Sequence, residues 1–438
     1  MNRRRWVFAV LACLALANGR MSVGSQIEDY LRREDPTFAW KEDGVQKTEL
    51  GTVVSLPLVS QTWHGIRWEH GVRVYETADV KYPDVMLLFI VGGSYNSKPF
   101  AQRDPKDDVL GFTLARATGA RVAVLPQVPN QPLLGDKVED ALIAETFVRY
   151  LETKDASWPL LFPMVKSAVK AMDALQAWTK EKGKPVPSRF VVTGASKRGW
   201  TTWLTGAHDP RVIAIAPMVI DTLNFPAQRK HYLEVWGKPS EEIDDYTKRG
   251  LSDIFDKPEG DRLWKMVDPY NYKSKLKLPK LLINGTNDPY WTVDALNIYW
   301  DELEGPKSVV YLPNAGHGLD QNRDYALSGV GALLRHAVNN RNLPDMKWQH
   351  SDEGSKLKLA IESNPPALSA KLWVAKSDTR DFRQAKWNPT PISLSDTKGV
   401  AEVDRPESGF IAILGDLEFE IEGLHYHLST QVRQTGSK

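Results

Sequence analysis

The spacing of apolar and polar positions along residues 50–135 predicts four strands and one helix. The segments TVVSLPLVSQTW and IRWEHGVRVYE interleave polar with apolar residues, which is typical of half-buried antiparallel strands. VMLLFIVGG and RVAVLPQV are continuous apolar runs that stop at Gly or Pro, which favours strands buried on both faces of a parallel sheet. DDVLGFTLARATG lies between these two runs with helical spacing, so the three segments together predict a β-α-β unit.

Helices and strands continue to alternate to about residue 340. Residues 136–182 carry apolar positions at helical spacing, with an interruption near SWP. The later strands are RFVVTGAS, RVIAIAPMVI, KLLINGTND and SVVYLPNAGHG, and the later helices are KRGWTTWLTGAH, VDALNIYWDEL and YALSGVGALLRHAVNN. This alternation predicts an α/β fold with a doubly wound, mainly parallel sheet. The polar, helix-rich segment 226–268 is expected to form a cap over that sheet.

The pattern changes at NLPDMKW, residues 342–348. Beyond it the helical period is lost, and the short alternating segments KLKLAIES, SAKLWVAKS, GFIAILGDLEFEIEG and HYHLSTQV follow. Such segments are typical of a small antiparallel β-sandwich. We therefore expect an α/β domain over residues 18–342 and a β-rich domain over residues 343–438.

Residues 1–17 have the pattern of an export signal. A basic start, RRR, precedes the apolar run WVFAVLACLALA, and ALA at its end resembles a cleavage site. Twelve apolar residues are too few to span a bilayer, so we expect a periplasmic or secreted protein without a stable membrane span once the signal is removed. The general secretory route is favoured, although RRRWV also fits a twin-arginine signal. The run before Cys13 is too short to favour a lipoprotein. Because Cys13 is the only cysteine, cleavage after Ala17 would exclude disulfides and thiolate metal sites.

The charge balance bears on possible partners. Lys and Arg number 56 and Asp and Glu number 55 in 438 residues, so the formal net charge is only +1. A nucleic-acid partner is therefore not expected, because binding to a polyanion needs a clear excess of basic residues. The composition leaves the oligomeric state open.

The stretch VVTGASKRGW, residues 191–200, contains the strongest chemical signal. A strand leads into Ser196 and a helix begins directly after it, as in the G-x-S-x-G turn that exposes a nucleophilic serine. Arg198 stands where that motif has its second glycine, and Gly199 follows one residue late. Arg198 would crowd the turn unless it points outward and Gly199 takes over the close packing. The alternative is that Ser196 only caps the helix that begins at Lys197.

A nucleophilic serine needs a base, and the base needs a carboxylate to orient it. Ser196, Asp288 and His317 each follow a predicted parallel strand, at the sheet edge where such sheets place their ligands. Their chain order, Ser–Asp–His, is that of the α/β-hydrolases. Asp221, at the end of IAIAPMVID, is the alternative acid and otherwise a structural or substrate-contacting residue. Asp294 is expected to start a helix.

An oxyanion formed by attack of Ser196 needs preorganised N–H donors. One is expected from the backbone of Lys197, and the other from Gly93 or Ser94 in the glycine-containing segment GGSYN. The cationic side chains of Lys197 and Arg198 could also stabilise the oxyanion or bind a substrate carboxylate. This chemistry requires neither a metal nor an organic cofactor.

Several motifs together resemble one family. TGASKRGWTTWLTGAHDPRV, VPNQPL, DPYNYKSKLKLPKLLINGTNDPYW and LPNAGHGL are similar to those of the PhoPQ-activated pathogenicity-related protein family, and the resemblance extends over roughly residues 30–430. It implies an exported α/β-hydrolase-like protein with Ser196, Asp288 and His317 as its triad. The serine motif is also distantly similar to that of glucuronoyl esterases, which implies a place for Lys197 in the oxyanion site. Those enzymes typically have Arg where this chain has Lys197 and Cys where it has Ala195.

The sequence therefore favours an exported serine hydrolase that cleaves an ester or an amide, with carboxylic esters preferred. Its substrate would be a small molecule, a glycan ester or a peptide. Two alternatives stay open at this point: a serine peptidase that uses the same triad, and a secreted binding or signalling protein without turnover.

Overall fold

A computed structural model of the chain describes residues 23–95, 108–255 and 257–437. The proposed export signal, residues 1–17, lies outside these ranges. The strands of the α/β part are β1 (Ala39–Trp40), β2 (Gly44–Thr48), β3 (Gly51–Trp63), β4 (Ile66–Glu76), β5 (Val85–Ile90), β6 (Arg121–Leu125), β7 (Arg189–Ala195), β8 (Val212–Met218), β9 (Lys280–Gly285) and β10 (Lys307–Leu312). The helices are α1 (Val23–Arg32), α2 (Val109–Thr118), α3 (Glu139–Thr153), α4 (Leu161–Glu181), α5 (Lys197–His208), α6 (Phe225–Trp236), α7 (Asp244–Thr247), α8 (Pro258–Val267) and α9 (Arg323–Val338). In the described ranges no helix is long and apolar enough to cross a membrane.

The central sheet has the strand order β3-β4-β6-β5-β7-β8-β9-β10. β3 and β4 pair antiparallel over their whole length, and β4 joins β6 antiparallel. From β6 onward the neighbouring strands run parallel. This order confirms the doubly wound, mainly parallel α/β-hydrolase fold that the sequence pattern predicts.

The two faces of this sheet carry separate hydrophobic cores. Along β7 the side chains of Phe190 and Val192 belong to one core and that of Val191 to the other, since successive side chains of a strand point to opposite faces. The first core is covered by α4 and α5, which contact each other, and the second by α2 and α9. Continuous apolar strands such as β5 are therefore buried on both sides.

The segment expected to form a cap, residues 226–268, is helical. It contains α6, α7 and α8, joined by short 3₁₀ turns. By contrast, the helix predicted over VDALNIYWDEL is wrong: only Ala295–Ile298 forms a 3₁₀ turn there.

Side-chain contacts explain the missing helix. Asp294, expected to start it, instead accepts hydrogen bonds from His231 of α6 at 2.8 Å and from Gln434 at 2.6 Å. Asn297 donates to the carbonyl of Val432 at 2.9 Å. Contacts with remote parts of the chain therefore override the local helical spacing.

After residue 342 the regular elements of the described residues are all strands. They are β11 (Asp345–Glu353), β12 (Lys356–Asn364), β13 (Ser369–Ser377), β14 (Asn388–Pro391), β15 (Leu394–Ser395), β16 (Lys398–Asp404), β17 (Phe410–Ile421), β18 (Leu424–Ser429) and β19 (Arg433–Gly436). β11, β12, β16 and β15 make a four-stranded antiparallel sheet.

The other C-terminal strands continue the central sheet. β18 pairs antiparallel with β10, where Val309 lies opposite Ser429, and β17, β13 and β14 follow outward. The backbone N–H of Tyr311 also donates to the hydroxyl of Ser429 at 3.0 Å. β10 would otherwise be an exposed sheet edge, which proteins usually cover. The boundary at residue 342 thus stays a prediction, but the β-rich part shares a sheet with the α/β part.

Candidate active site

Ser196 lies in a sharp turn between β7 and α5. Its backbone has φ 58° and ψ −126°, a conformation that non-glycine residues rarely adopt. The turn is held by a hydrogen bond from the N–H of Ser196 to the carbonyl of Met218 on β8, at 2.8 Å. The Ser196 side chain does not cap α5. A strained serine whose hydroxyl is free of a capping role is typical of a nucleophile.

Gly199 provides the close packing behind this turn. A Cβ at this position would lie 2.8 Å from both the Met218 carbonyl and the Ile220 side chain, and 3.0 Å from the Gly194 carbonyl. Such distances leave no room for any side chain. The glycine that comes one residue late in the motif is therefore required by the approach of α5 to β8.

Arg198 does not point into solvent. Its guanidinium packs on Gly92, where a Cβ would lie 2.4 Å from Nη2. Nη1 and Nη2 donate to the two carboxylate oxygens of Glu139, each at 2.7 Å, and Nε donates to the carbonyl of Val128 at 2.5 Å. Three of its five N–H groups are therefore used within the protein, and the guanidinium is held between Glu139 and Gly92.

Lys197 is likewise neutralised by carboxylates. Its Nζ lies 2.8 Å from Glu139 Oε2 and 3.2 Å from Asp140 Oδ2, and only 7% of its side chain is exposed. Burial disfavours the ionised form of Glu139, but Arg198 and Lys197 outweigh that effect and lower its pKa to about 2. The two cations beside the serine thus meet two carboxylates at the start of α3. Sequence reasoning missed Glu139 and Asp140, since acidic residues in a first helical turn also have an ordinary role there.

The VPNQPL segment links this cluster to the loop after β5. Gln131 accepts a hydrogen bond from the backbone N–H of Glu139 at 2.8 Å and donates to its carboxylate at 2.5 Å. The backbone carbonyl of Gln131 accepts a hydrogen bond from the N–H of Tyr95 at 2.9 Å, and Ser94 and Gln131 form an isolated parallel β-bridge. Gly93 has φ 122°, in the region that favours glycine. The segment predicted to supply an oxyanion donor is therefore tied to the serine turn through Gln131 and Glu139.

His317 and Asp288 form a hydrogen-bonded pair. Nδ1 of His317 lies 2.8 Å from Oδ2 of Asp288, and Oδ1 of Asp288 accepts from the N–H of Tyr290 at 2.9 Å. The Tyr290 ring stacks on the imidazole, with centroids 4.1 Å apart. Since a carboxylate accepts, Nδ1 carries the proton, and the lone pair of the neutral ring is on Nε2. Nε2 makes no hydrogen bond to any described residue.

Asp221, the alternative acid, is engaged elsewhere. It is buried and accepts hydrogen bonds from the Tyr299 hydroxyl at 2.5 Å and from Asn284 at 3.0 Å. Burial raises its pKa to about 7, and the nearby charge of Asp288 contributes in the same direction. The histidine partner in this structure is Asp288, and Asp221 lies behind it as an internal hydrogen-bond acceptor.

A cavity of about 100 Å³ begins at Ser196 and extends along the helical segment 226–268. Its wall carries aromatic rings from α3, α5, α6 and α8, among them Phe147, Trp200, Phe225 and Trp264. The charged residues of the lining in the described part of the chain are Asp140 and Lys197, which pair with each other. The serine therefore opens onto an apolar chamber.

A loop of the C-terminal part fixes the loops that carry Asp288 and His317. Asn287 donates to the carbonyl of Ala385 at 2.7 Å and to that of Arg383 at 3.2 Å. Asn314 donates to the carbonyl of Trp387 at 3.0 Å and accepts from its N–H at 2.8 Å. The C-terminal strands thus brace the candidate acid and base, which sequence reasoning did not anticipate.

The same part of the chain contacts the cap. Arg383 pairs with Glu241 at 3.3 Å and lies over the Trp236 ring, 4.4 Å from its centroid. Together with the bonds from His231 and Gln434 to Asp294, these contacts join the cap to the C-terminal strands.

Across the described residues there is no group of three His, Cys, Asp or Glu side chains arranged to hold a metal ion.

The sequence of this chain is similar to one known protein family and to a protein from another organism. The family described as PhoPQ-activated pathogenicity-related protein matches residues 27–383, which include all of Ser196, Asp288 and His317. The chain belongs to this family. The family predicted from the sequence motifs is thereby confirmed. One relative is autocrine proliferation repressor protein A of Dictyostelium discoideum, 28% identical over 428 residues that cover 90% of this chain and 85% of that protein.

Solved structures with a similar fold include several esterases. Acetyl xylan esterase 1 from Thermoanaerobacterium sp. is 17% identical, with a TM-score of 0.48, and covers 71% of this chain and 92% of its own. A glucuronoyl esterase from Solibacter usitatus is 13% identical, with a TM-score of 0.40 and the same two coverages. These likenesses concern the fold alone.

Proposed function

We propose that this member of the family is an exported serine hydrolase that cleaves carboxylic esters. The observation that carries the proposal is the strained backbone of Ser196, which lines an apolar cavity. A hydrogen-bonded pair, His317 and Asp288, lies on the loops after β10 and β9 of the same sheet. Each element has a catalytic use, and the chain order of the three residues is that of the α/β-hydrolases.

In the proposed reaction, the Ser196 hydroxyl oxygen attacks the ester carbonyl while His317 Nε2 takes its proton. Asp288 keeps the proton on Nδ1 and stabilises the imidazolium that forms. The tetrahedral intermediate then expels the alcohol, which receives the proton from Nε2, and an acyl-serine is left. Water, deprotonated by the same nitrogen, hydrolyses that ester and restores Ser196.

The oxyanion would be held by backbone N–H groups. Lys197 N, at the start of α5, is one donor, and Gly93 or Ser94 is the other. The Lys197 ammonium lies beside this site, and its charge is neutralised by the carboxylates of Glu139 and Asp140. We do not include Arg198 or Asp221 among the substrate-contacting residues, because Arg198 is paired with Glu139 and both carboxylate oxygens of Asp221 accept hydrogen bonds within the protein.

The test is labelling with a fluorophosphonate probe, together with hydrolysis of p-nitrophenyl esters. The wild-type protein should be labelled and should hydrolyse the esters, and Ser196→Ala should abolish both. Ser328→Ala is the matched control, because this serine lies on α9, away from the cavity, and bonds only weakly to the Tyr325 carbonyl at 3.5 Å. Absence of labelling in a well-folded wild-type protein would refute the proposal.

The same experiment separates the alternatives. A peptidase would cleave peptide p-nitroanilides in a Ser196-dependent manner, whereas an esterase would leave them intact. The Dictyostelium relative is named as a repressor of proliferation, and a folded but unlabelled protein would instead favour a signalling role of that kind. Export is tested by determining the N-terminus of the protein recovered from the periplasm or medium, which we expect after Ala17.

A further inference from the structure

We infer that the ester cleaved at Ser196 carries a bulky, uncharged aromatic group, which occupies the cavity under the cap. This inference rests on the proposed ester hydrolase function and adds the chemical class of the substrate.

The charged and amide side chains of the cavity lining are already used within the protein. Asp140 pairs with Lys197, and its other oxygen accepts from the Tyr246 hydroxyl at 2.8 Å. Gln228 donates to the carbonyls of Leu223 and Ala295 at 3.3 and 3.0 Å. A charged group placed here would lose its water without gaining an ionic partner, which is costly.

The wall is made of rings that hold one another in place. Trp200 meets Phe225 edge to face, with centroids 5.4 Å apart and planes at 90°. Trp264 packs against Phe147, Phe225 and Phe255 at 5.8, 5.6 and 4.7 Å. A wall fixed in this way is rigid and selects its occupant by shape.

An aromatic occupant fits this wall better than a linear alkyl chain. Aromatic pairs in edge-to-face or offset geometry gain attraction beyond the area that they bury. A rigid ring also loses less conformational freedom on binding than a flexible chain of equal carbon number. The rings at the mouth extend the wall to the site itself, since Tyr290 lines the cavity and stacks on His317.

The experiment compares kcat/KM across two ester series on the wild-type protein. One series varies the acyl group with a p-nitrophenyl leaving group: acetate, hexanoate and phenylacetate. The other varies the alcohol with a constant acetyl group: methyl, hexyl and phenethyl. In the series whose variable group enters the cavity, the aromatic ester should exceed the smallest by on the order of 100-fold, and should exceed the linear six-carbon ester.

A variant pair assigns the preference to the cavity. Phe255→Ala removes one half-buried ring of the wall and should reduce the ratio of aromatic to smallest ester by about tenfold. Phe38→Ala removes a half-buried ring that packs near Lys170, outside the cavity, and should leave the ratio unchanged.

The outcomes distinguish the two proposals. Ser196-dependent hydrolysis with a preference for acetyl or linear esters in both series overturns the aromatic substrate and leaves the ester hydrolase standing. An aromatic preference that Phe255→Ala and Phe38→Ala change equally also overturns it. If no ester is hydrolysed and no probe reacts, the ester hydrolase fails, and the aromatic substrate fails with it.

Discussion

The carboxylate of Glu139 offers the sharpest test of how the serine turn is stabilised. It is the common partner of Lys197 and Arg198, the two cations that follow the candidate nucleophile. Glu139→Gln keeps the size of the side chain but removes its charge. Lys197, whose side chain is only 7% exposed, then keeps the carboxylate of Asp140, whereas Arg198, only 10% exposed, keeps no carboxylate partner among the described residues.

The magnitude follows from the pKa of Glu139, which is about 2 against an ordinary value of 4.5. At about 1.4 kcal/mol for each pKa unit, the full difference corresponds to roughly 3.4 kcal/mol. Since 38% of the Glu139 side chain is exposed, solvent screening reduces this value, and we expect Glu139→Gln to lower the free energy of unfolding by about 1.5–2 kcal/mol at pH 7.

The pH dependence has a definite sign. Folding lowers the pKa of Glu139, so its contribution is fully present above pH 4.5 and is lost as the pH falls towards 2. The difference in unfolding free energy between wild type and Glu139→Gln should therefore shrink by about a quarter to a half between pH 7 and pH 4.

Urea unfolding followed by tryptophan fluorescence at both pH values measures these differences. Glu152→Gln is the control, because Glu152 lies exposed on the same helix and makes no ion pair with a described residue. Equal loss of stability in the two variants at pH 7, or the same loss in Glu139→Gln at pH 4, would refute this role of Glu139.

Two further predictions concern the supports of the site. Gly92→Ala should lower the free energy of unfolding by about 1–3 kcal/mol, because its Cβ would meet the fixed guanidinium of Arg198, whereas Gly71→Ala has open space. Thermal unfolding measures both, and equal melting temperatures would contradict the clash. Asn287→Ala should slow fluorophosphonate labelling on the order of tenfold with little change in circular dichroism, because the loop before the candidate acid loses its bonds to the C-terminal loop. Asn388→Ala, an exposed asparagine of β14, is its control, and equal labelling rates would contradict the positioning role.

Much of the candidate site could be predicted because its parts lie at the ends of predicted strands. Ser196, Asp288 and His317 follow β7, β9 and β10, and parallel strands bring their carboxyl ends to one edge of the sheet. The pairing of Asp288 with His317 follows from that placement. The failed helix after Asp294 shows the limit of such reasoning, since its side chains bond to α6 and β19 rather than to their own neighbours in sequence.

The sequence by itself determined the strand and helix pattern, the α/β-hydrolase chain order and the position of the serine turn, because these depend on spacings within a few residues. Only the tertiary structure decided what the two cations after Ser196 do. Their partner Glu139 lies nearly sixty residues earlier, and no local pattern records a contact of that range. The same holds for the aromatic cavity and the C-terminal loop that braces Asn287 and Asn314. Packing of remote segments determines which side chains are buried and which charges are paired. It places Lys197 and Arg198 in a buried ion cluster with Glu139, beside the apolar cavity.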